Sequence, residues 1–194
     1  PLMLGGAARF QRENVLAAIV AAYVRGMRYD DIRAGLLSFF PSPSLTPGRL
    51  NVITLRNGAR AVVDYAHNAA AAEGVVEFVR ALPAHRRIAA VCMPGDRRDG
   101  DIRAVGRLFA EFDHAIVKED ADLRGRAPGE VAAMLSESLL LGGCPQAEIE
   151  QVLDEEAAVR RGLSLLRDDD LLLVLADDVS LALDVVAEFA AEQR

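Results

Sequence analysis

From Leu50 onward, short apolar runs alternate with helical stretches, and this rhythm does more than any other feature to narrow the possible folds. Strands that are apolar along their whole length must be covered on both faces, and intervening helices can do the covering. Predicted strands span 50–55, 59–65, 88–93, 114–118, 149–153 and 171–176; predicted helices span 70–82, 102–112, 128–141, 155–166 and 181–192. The first two strands are joined by Arg56-Asn57-Gly58, and Asn-Gly is a strong hairpin signal. The expected fold is therefore α/β: a Rossmann-like, mostly parallel sheet flanked by helices, opening with an antiparallel β-hairpin.

The earlier part of the chain reads differently. Gln11 to Arg25 is rich in Ala, Leu and Val and predicts a helix with a buried face, ended by Gly26. A second helix is predicted over 30–40, with Asp30 as N-cap and Ile32, Leu36, Leu37 and Phe40 on one stripe. Residues 41–48 contain Pro41, Pro43 and Pro47, which lack amide donors and suit a linker. The organisation expected is a helical piece of a preceding domain over 1–44 and an α/β domain over 45–194.

Charge and composition remove several function classes. A formal net charge of −7 argues against nucleic-acid binding by phosphate neutralisation. Apolar runs such as Leu171 to Ala176 are too short to cross a membrane, and the opening Pro1 to Gly6 lacks the basic head of a signal peptide. Cys92 and Cys144 are far apart without CxxC spacing, which fits buried thiols in a reducing cytoplasm. Lys118 is the one lysine among 22 basic residues, a bias that fits either a GC-rich gene or a preference for planar guanidinium groups. A start at Pro1 rather than Met suggests a piece of a longer protein. There is no GxGxxG, no zinc-ligand spacing and no GxSxG, and His85 and His114 read as isolated surface or capping residues.

Ligands of open α/β sheets gather beyond the carboxyl ends of the strands, and three polar clusters fall there. Asp64-Tyr65-Ala66-His67-Asn68 joins a strand to a helix; it suits ribose and phosphate binding at a helix N-terminus, and equally a helix cap with a satisfied histidine beside it. The Pro94 to Asp101 segment carries Asp96, Arg97, Arg98 and Asp99, and Lys118 to Arg126 carries Glu119, Asp120, Arg124 and the terminal Arg126. Each could be a solvated charged loop. If the strands before them are neighbours, both loops overlie one crevice.

The stretch Pro47-Gly48-Arg49-Leu50-Asn51, followed by Val63-Asp64-Tyr65-Ala66-His67-Asn68, resembles the C-terminal domain of the Mur ligase superfamily, whose members join a carboxylate to an amine through an acyl phosphate. The two charged loops are most similar to the branch that places arginine on a polyaspartate backbone, and Gly5-Gly6 through Asn14-Val15-Leu16-Ala17-Ala18 is similar to the end of the family's ATPase domain. The resemblance implies ATP and Mg shared with that preceding domain. It puts Asn14 at the adenine, Arg49 and Asp64 at the ribose or phosphates, and Tyr65, His67 and Asn68 on the phosphate side, His67 being catalytic. It turns Asp96, Arg97, Arg98, Asp99, Lys118, Glu119, Asp120, Arg124 and Arg126 toward the incoming amino acid, expected to be arginine, and an acidic peptide or polymer. The carboxylates of Asp96, Asp99, Glu119 and Asp120 would suit a guanidinium. A homo-oligomer is implied for the full-length form.

Two departures matter. Ala69 stands where the family usually has proline after His-Asn, which loosens the turn. No Gly-Lys-Ser/Thr occurs, so a firm seat for the β- and γ-phosphates is missing and this stretch alone is expected to hydrolyse nothing. The alternatives are a catalytically silent binding or assembly module of the same shape, and a folylpolyglutamate or muramyl-peptide ligase.

Overall fold

Apolar strands flanked by amphipathic helices produce the expected sheet in the computed structural model, which describes residues 11–39 and 42–192. Gly5-Gly6 and Phe40 of the expected elements lie outside the described residues. Two helices come first, α1 (Gln11–Val24) and α2 (Tyr29–Ser38). A hairpin follows, β1 (Asn51–Thr54) and β2 (Arg60–Asp64), closed by a Leu55 N–H to Ala59 carbonyl bond of 2.8 Å with Gly58 at φ +77°. The chain then runs α3 (Ala69–Ala81), β3 (Arg87–Val91), α4 (Asp99–Phe109), β4 (His114–Val117), α5 (Glu130–Leu141), a 3-10 turn, β5 (Ile149–Gln151), α6 (Glu155–Leu165), β6 (Leu171–Leu175) and α7 (Val179–Glu192).

The six-stranded sheet has the order β1-β2-β6-β3-β4-β5, antiparallel only at β1–β2. Helices α3, α4 and α5 bury Val75, Phe78, Val105, Phe109 and Leu135 against one face, and α6 and α7 bury Val159, Leu163, Val185 and Val186 against the other. Because β6 inserts between β2 and β3, the helices leaving these neighbours go to opposite faces, which opens the sheet at the carboxyl ends of its strands. Register aligns those ends: Asp64 stands opposite Leu175, and Val91 opposite Val117.

Four expectations are corrected. No described residue of α1 is buried; Tyr23, for example, is 69% exposed. The helix is apolar nearly all round, so a buried face cannot be read from it, and only Gln11, Val15, Ile19 and Ala22 turn partly inward. In α2 the N-cap is Arg28, with Asp30 inside the acidic first turn, and Leu37 is exposed while Ile32 is buried. Helix α4 begins three residues earlier than predicted, drawing Asp99 and Asp101 into its first turn, where carboxylates favour the helix dipole. His114 is buried at the start of β4, between Glu148 and Glu150 at 2.9 and 3.2 Å. No helix among the described residues is long and apolar enough to cross a membrane.

Candidate functional site

Pro47 to Asn51 forms a hook that ties the start of β1 to the end of β2. The Gly48 N–H donates to Asn51 Oδ1 at 2.6 Å, the Asn51 amide donates to the Thr46 carbonyl at 3.0 Å, and the Tyr65 N–H donates to the Gly48 carbonyl at 2.9 Å. Gly48 has φ +69°, and a Cβ there would stand 2.6 Å from Val179 Cγ2, so conformation and space both require glycine. Leu50 is held at φ +50°, which costs about 1 kcal/mol or more for an L residue. That conformation aims its N–H at Asp64 Oδ2, 2.8 Å away.

Asp64 is buried where β2 ends. Burial pushes its pKa from the ordinary 3.8 up to about 6, against the opposing pull of the Leu50 N–H and the Arg49 charge. It lies on the wall of a cavity of about 600 Å³ between α1, α2 and the first turns of α3. Asn14 and Arg49 line the same cavity, with Val15, Leu36 and Val75 supplying apolar wall. Three residues expected at the nucleotide are thus brought together, from a helix, a hook and a strand end.

Tyr65, His67 and Asn68 face elsewhere. The Arg49 guanidinium lies 5.8 Å above the Tyr65 ring, whose centroid is 3.5 Å from that of His67. His67 Nδ1 is 2.9 Å from the Tyr65 carbonyl oxygen. A carbonyl only accepts, so Nδ1 carries the proton and the neutral ring presents its lone pair at Nε2. That Nε2 is buried without a partner. Burial lowers the His67 pKa, partly offset by the Tyr65 carbonyl and by Asp120 and Asp177. The Asn68 side chain caps α3, accepting from the Ala71 N–H at 2.9 Å. Ala69 takes the first helical position, where proline is tolerated but not required, and the turn forms without it.

The charged loops after β3 and β4 do lie side by side, and most of their charges are spent on each other. Arg126 donates to the Gly95 and Arg97 carbonyls at 2.9 and 3.1 Å and pairs with Asp99 and Glu130, each at 2.7 Å. Arg124 pairs with Asp96 at 3.2 Å, and Arg97 donates to the His67 carbonyl at 3.1 Å. Both Glu119 oxygens accept backbone N–H groups at the start of α5, from Gly129 at 2.8 Å and Ala132 at 3.2 Å. Arg98 is exposed at the start of α4. Of the four carboxylates expected to meet a guanidinium, Asp120 alone meets neither an arginine nor a backbone N–H: it is 5% exposed, and the Cys92 thiol lies beside its buried oxygens.

Lys118 has no exposed surface; its Nζ lies 3.0 Å from Glu155 Oε1 and 2.9 Å from Cys92 Sγ. Burial opposes the Lys118 charge, and Cys92 and Glu155 outweigh it, so its pKa is raised. Burial also pushes the Cys92 thiol up to about 12. Glu155 opens α6 and accepts the N–H groups of Asp177 and Asp178 at 2.9 and 2.8 Å, fixing the loop after β6. Asp177 in turn accepts the Ala121 N–H at 3.1 Å. Sequence reasoning missed Glu155 and Asp177. The Asp177-Asp178 pair follows an apolar run as the other clusters do, and the same strand-end rule applied to β6 would have found it.

The fold and this arrangement define an α/β domain with a mostly parallel sheet and a cavity at the carboxyl ends of its strands. More narrowly, residues 48–177 match the model of the Mur ligase, glutamate ligase domain family, and the chain belongs to that family. It is 44% identical over 187 residues to the cyanophycin synthetase of Trichormus variabilis, covering 96% of this chain and 20% of that protein. The chain thus spans about a fifth of the length of the curated relatives it matches first. Among solved structures it resembles a murein peptide ligase from Psychrobacter arcticus with TM-score 0.65 at 15% identity, over 91% of this chain and 36% of that one. It also resembles E. coli FolC in complex with ADP, with TM-score 0.63 at 21% identity, over 93% and 40%.

Proposed function

We propose that this chain is the C-terminal domain of an ATP-dependent ligase of the cyanophycin synthetase type, acting in a reducing cytoplasm, and that it adds a cationic amino acid, arginine in the first instance, to an acidic polymer. The observation that carries the reading is the single cavity walled by Asn14, Arg49 and Asp64. A side-chain amide can meet an adenine edge, a buried carboxylate can accept from ribose hydroxyls, and a guanidinium can meet phosphate, all beside apolar wall that suits a base. ATP would supply the phosphoryl group that activates the carboxylate. Mg would be shared with the preceding domain; among the described residues no cluster of three His, Cys, Asp or Glu could hold a metal ion, and no step is routed through it.

The residues of this chain would then bind, orient and shield. Asp64 and Arg49 would hold the nucleotide end while His67, unprotonated at Nε2, would take a proton from the incoming ammonium and leave the free amine to attack. The loops after β3 and β4 would keep water from the activated carboxylate. The test is amino-acid-dependent ADP release by the full-length protein. Asp64→Ala is expected to raise the KM for ATP at least about tenfold, and His67→Ala to lower kcat by about 100-fold, with circular dichroism unchanged. Wild-type turnover in both variants would defeat the assignment.

A further inference from the structure

Two buried nucleophiles, Cys92 and Lys118, take no part in the reaction proposed above. Cys92 directly follows β3 and Lys118 directly follows β4, and because these parallel neighbours pair Val91 with Val117, the next residues emerge side by side. The Lys118 Nζ lies 2.9 Å from Cys92 Sγ, so a bond between them needs little more than side-chain rotation. Each atom also has a proton acceptor in contact. Glu155 Oε1 is 3.0 Å from Nζ; the thiol has the Leu175 carbonyl at 3.3 Å and the Asp120 carboxylate beside it. Lys118 has no exposed surface, whereas Cys92 keeps 5% of its own, an opening at the sulfur and not at the amine. A disulfide is excluded by position. Cys144 lies at the other end of the strands, beside Glu148, which holds His114 at the start of β4, while a disulfide requires Cα atoms within about 7 Å.

We propose that Cys92 Sγ and Lys118 Nζ form a covalent, reductant-reversible cross-link when the protein meets hydrogen peroxide. In the first step the thiol proton passes to Asp120 and the sulfur attacks one peroxide oxygen. The S–O bond forms, the O–O bond breaks, and the departing hydroxide takes up a proton as water, leaving a sulfenic acid. In the second, Lys118 gives a proton to Glu155 and its nitrogen attacks the sulfur. The S–N bond forms, the S–O bond breaks, and the oxygen leaves as a second water. Sulfur is oxidised by two electrons, and one peroxide is reduced to two waters. A thiol pushed up to about 12 does not accumulate as thiolate, so the pair ignores brief exposure and answers to sustained peroxide. The link also removes the Lys118 charge from Glu155, whose carboxylate holds the Asp177 and Asp178 amides.

The experiment exposes the folded, full-length protein to hydrogen peroxide, blocks free thiols with iodoacetamide, and maps tryptic peptides by mass spectrometry. Cys92 falls in residues 88–97, and a linked Lys118 resists trypsin, which leaves 108–124 uncut. The expected product joins these two peptides at about 2 Da below their summed mass and separates under dithiothreitol. A joined pair about 14 Da above the sum would carry one oxygen between nitrogen and sulfur, inserted from a second peroxide that leaves as water, and supports the same site. Lys118→Arg, which keeps a cation for Glu155, should lower the yield of joined peptide at least about tenfold, and Cys92→Ser should abolish it. Cys144→Ser should leave the yield unchanged, and this decides the matter if either of the other variants fails to fold. Recovery of Cys92 only as free thiol, as sulfinic or sulfonic acid, or joined to another cysteine overturns the proposal, as does joined peptide that survives dithiothreitol.

Discussion

Lys118 separates two accounts of the charged loops. As a substrate contact it should affect KM and little else; as the buried partner of Glu155 and Cys92 it should affect stability first. Removing one member of a buried ion pair costs about 3–5 kcal/mol, because the remaining charge is left uncompensated. Glu155 retains two N–H bonds, from Asp177 and Asp178, so the low end applies and Lys118→Met should cost about 3 kcal/mol. For a chain of this size that is a fall in Tm of roughly 6–12 °C. Urea and thermal unfolding of Lys118→Met, Glu155→Gln and the double variant would measure it, with the double variant less destabilised than the sum of the singles by about 1 kcal/mol or more. A Lys118→Met protein within about 0.5 kcal/mol of the wild type, with a raised amino-acid KM, would refute the structural account and return Lys118 to the substrate.

Two further outcomes follow from the geometry. A Cβ at Gly95 would stand 2.2 Å from the Leu123 carbonyl oxygen, so Gly95→Ala should push the two charged loops apart and lower the urea midpoint by about 1–3 kcal/mol equivalent; an unchanged midpoint would mean that the loops are not in contact there. Asp64 binds its proton more tightly folded than unfolded, so its contribution to stability is lost as pH rises from 3.8 to about 6, a span worth roughly 3 kcal/mol at most. Asp64→Asn keeps an acceptor for the Leu50 N–H without the charge and should have a flat profile through that window and exceed the wild type above pH 6; parallel pH profiles for the two proteins would exclude this cause.

Much of this was legible before any coordinates, for identifiable reasons. Apolar runs covered on both faces leave little freedom in fold class, and Arg56-Asn57-Gly58 fixes the hairpin locally. That the loops after β3 and β4 lie side by side also follows from strand adjacency. What the sequence hid is pairing. Asp96, Asp99, Glu119 and Asp120 look alike in one dimension, yet two are tied to arginines, one caps a helix and one is buried beside the Cys92 thiol, because partners such as Arg126 and the α5 amides come from turns whose directions no local pattern specifies. Glu155 was hidden more deeply: it lies beyond the edge strand β5, as the first residue of α6 on the opposite face, far from Lys118 in sequence.

The loop after β2 is where these findings meet. Asp64 lines the cavity and His67, three residues on, stands outside it, within electrostatic reach of Asp120 and Asp177. A strand end can divide two compartments in this way only where the neighbouring connections leave on opposite faces, and inserting β6 beside β2 creates that condition. The two sides differ in their charged groups: Arg49 and Asp64 stand on the cavity side, and Asp120, Asp177, Lys118 and Arg124 stand on the other.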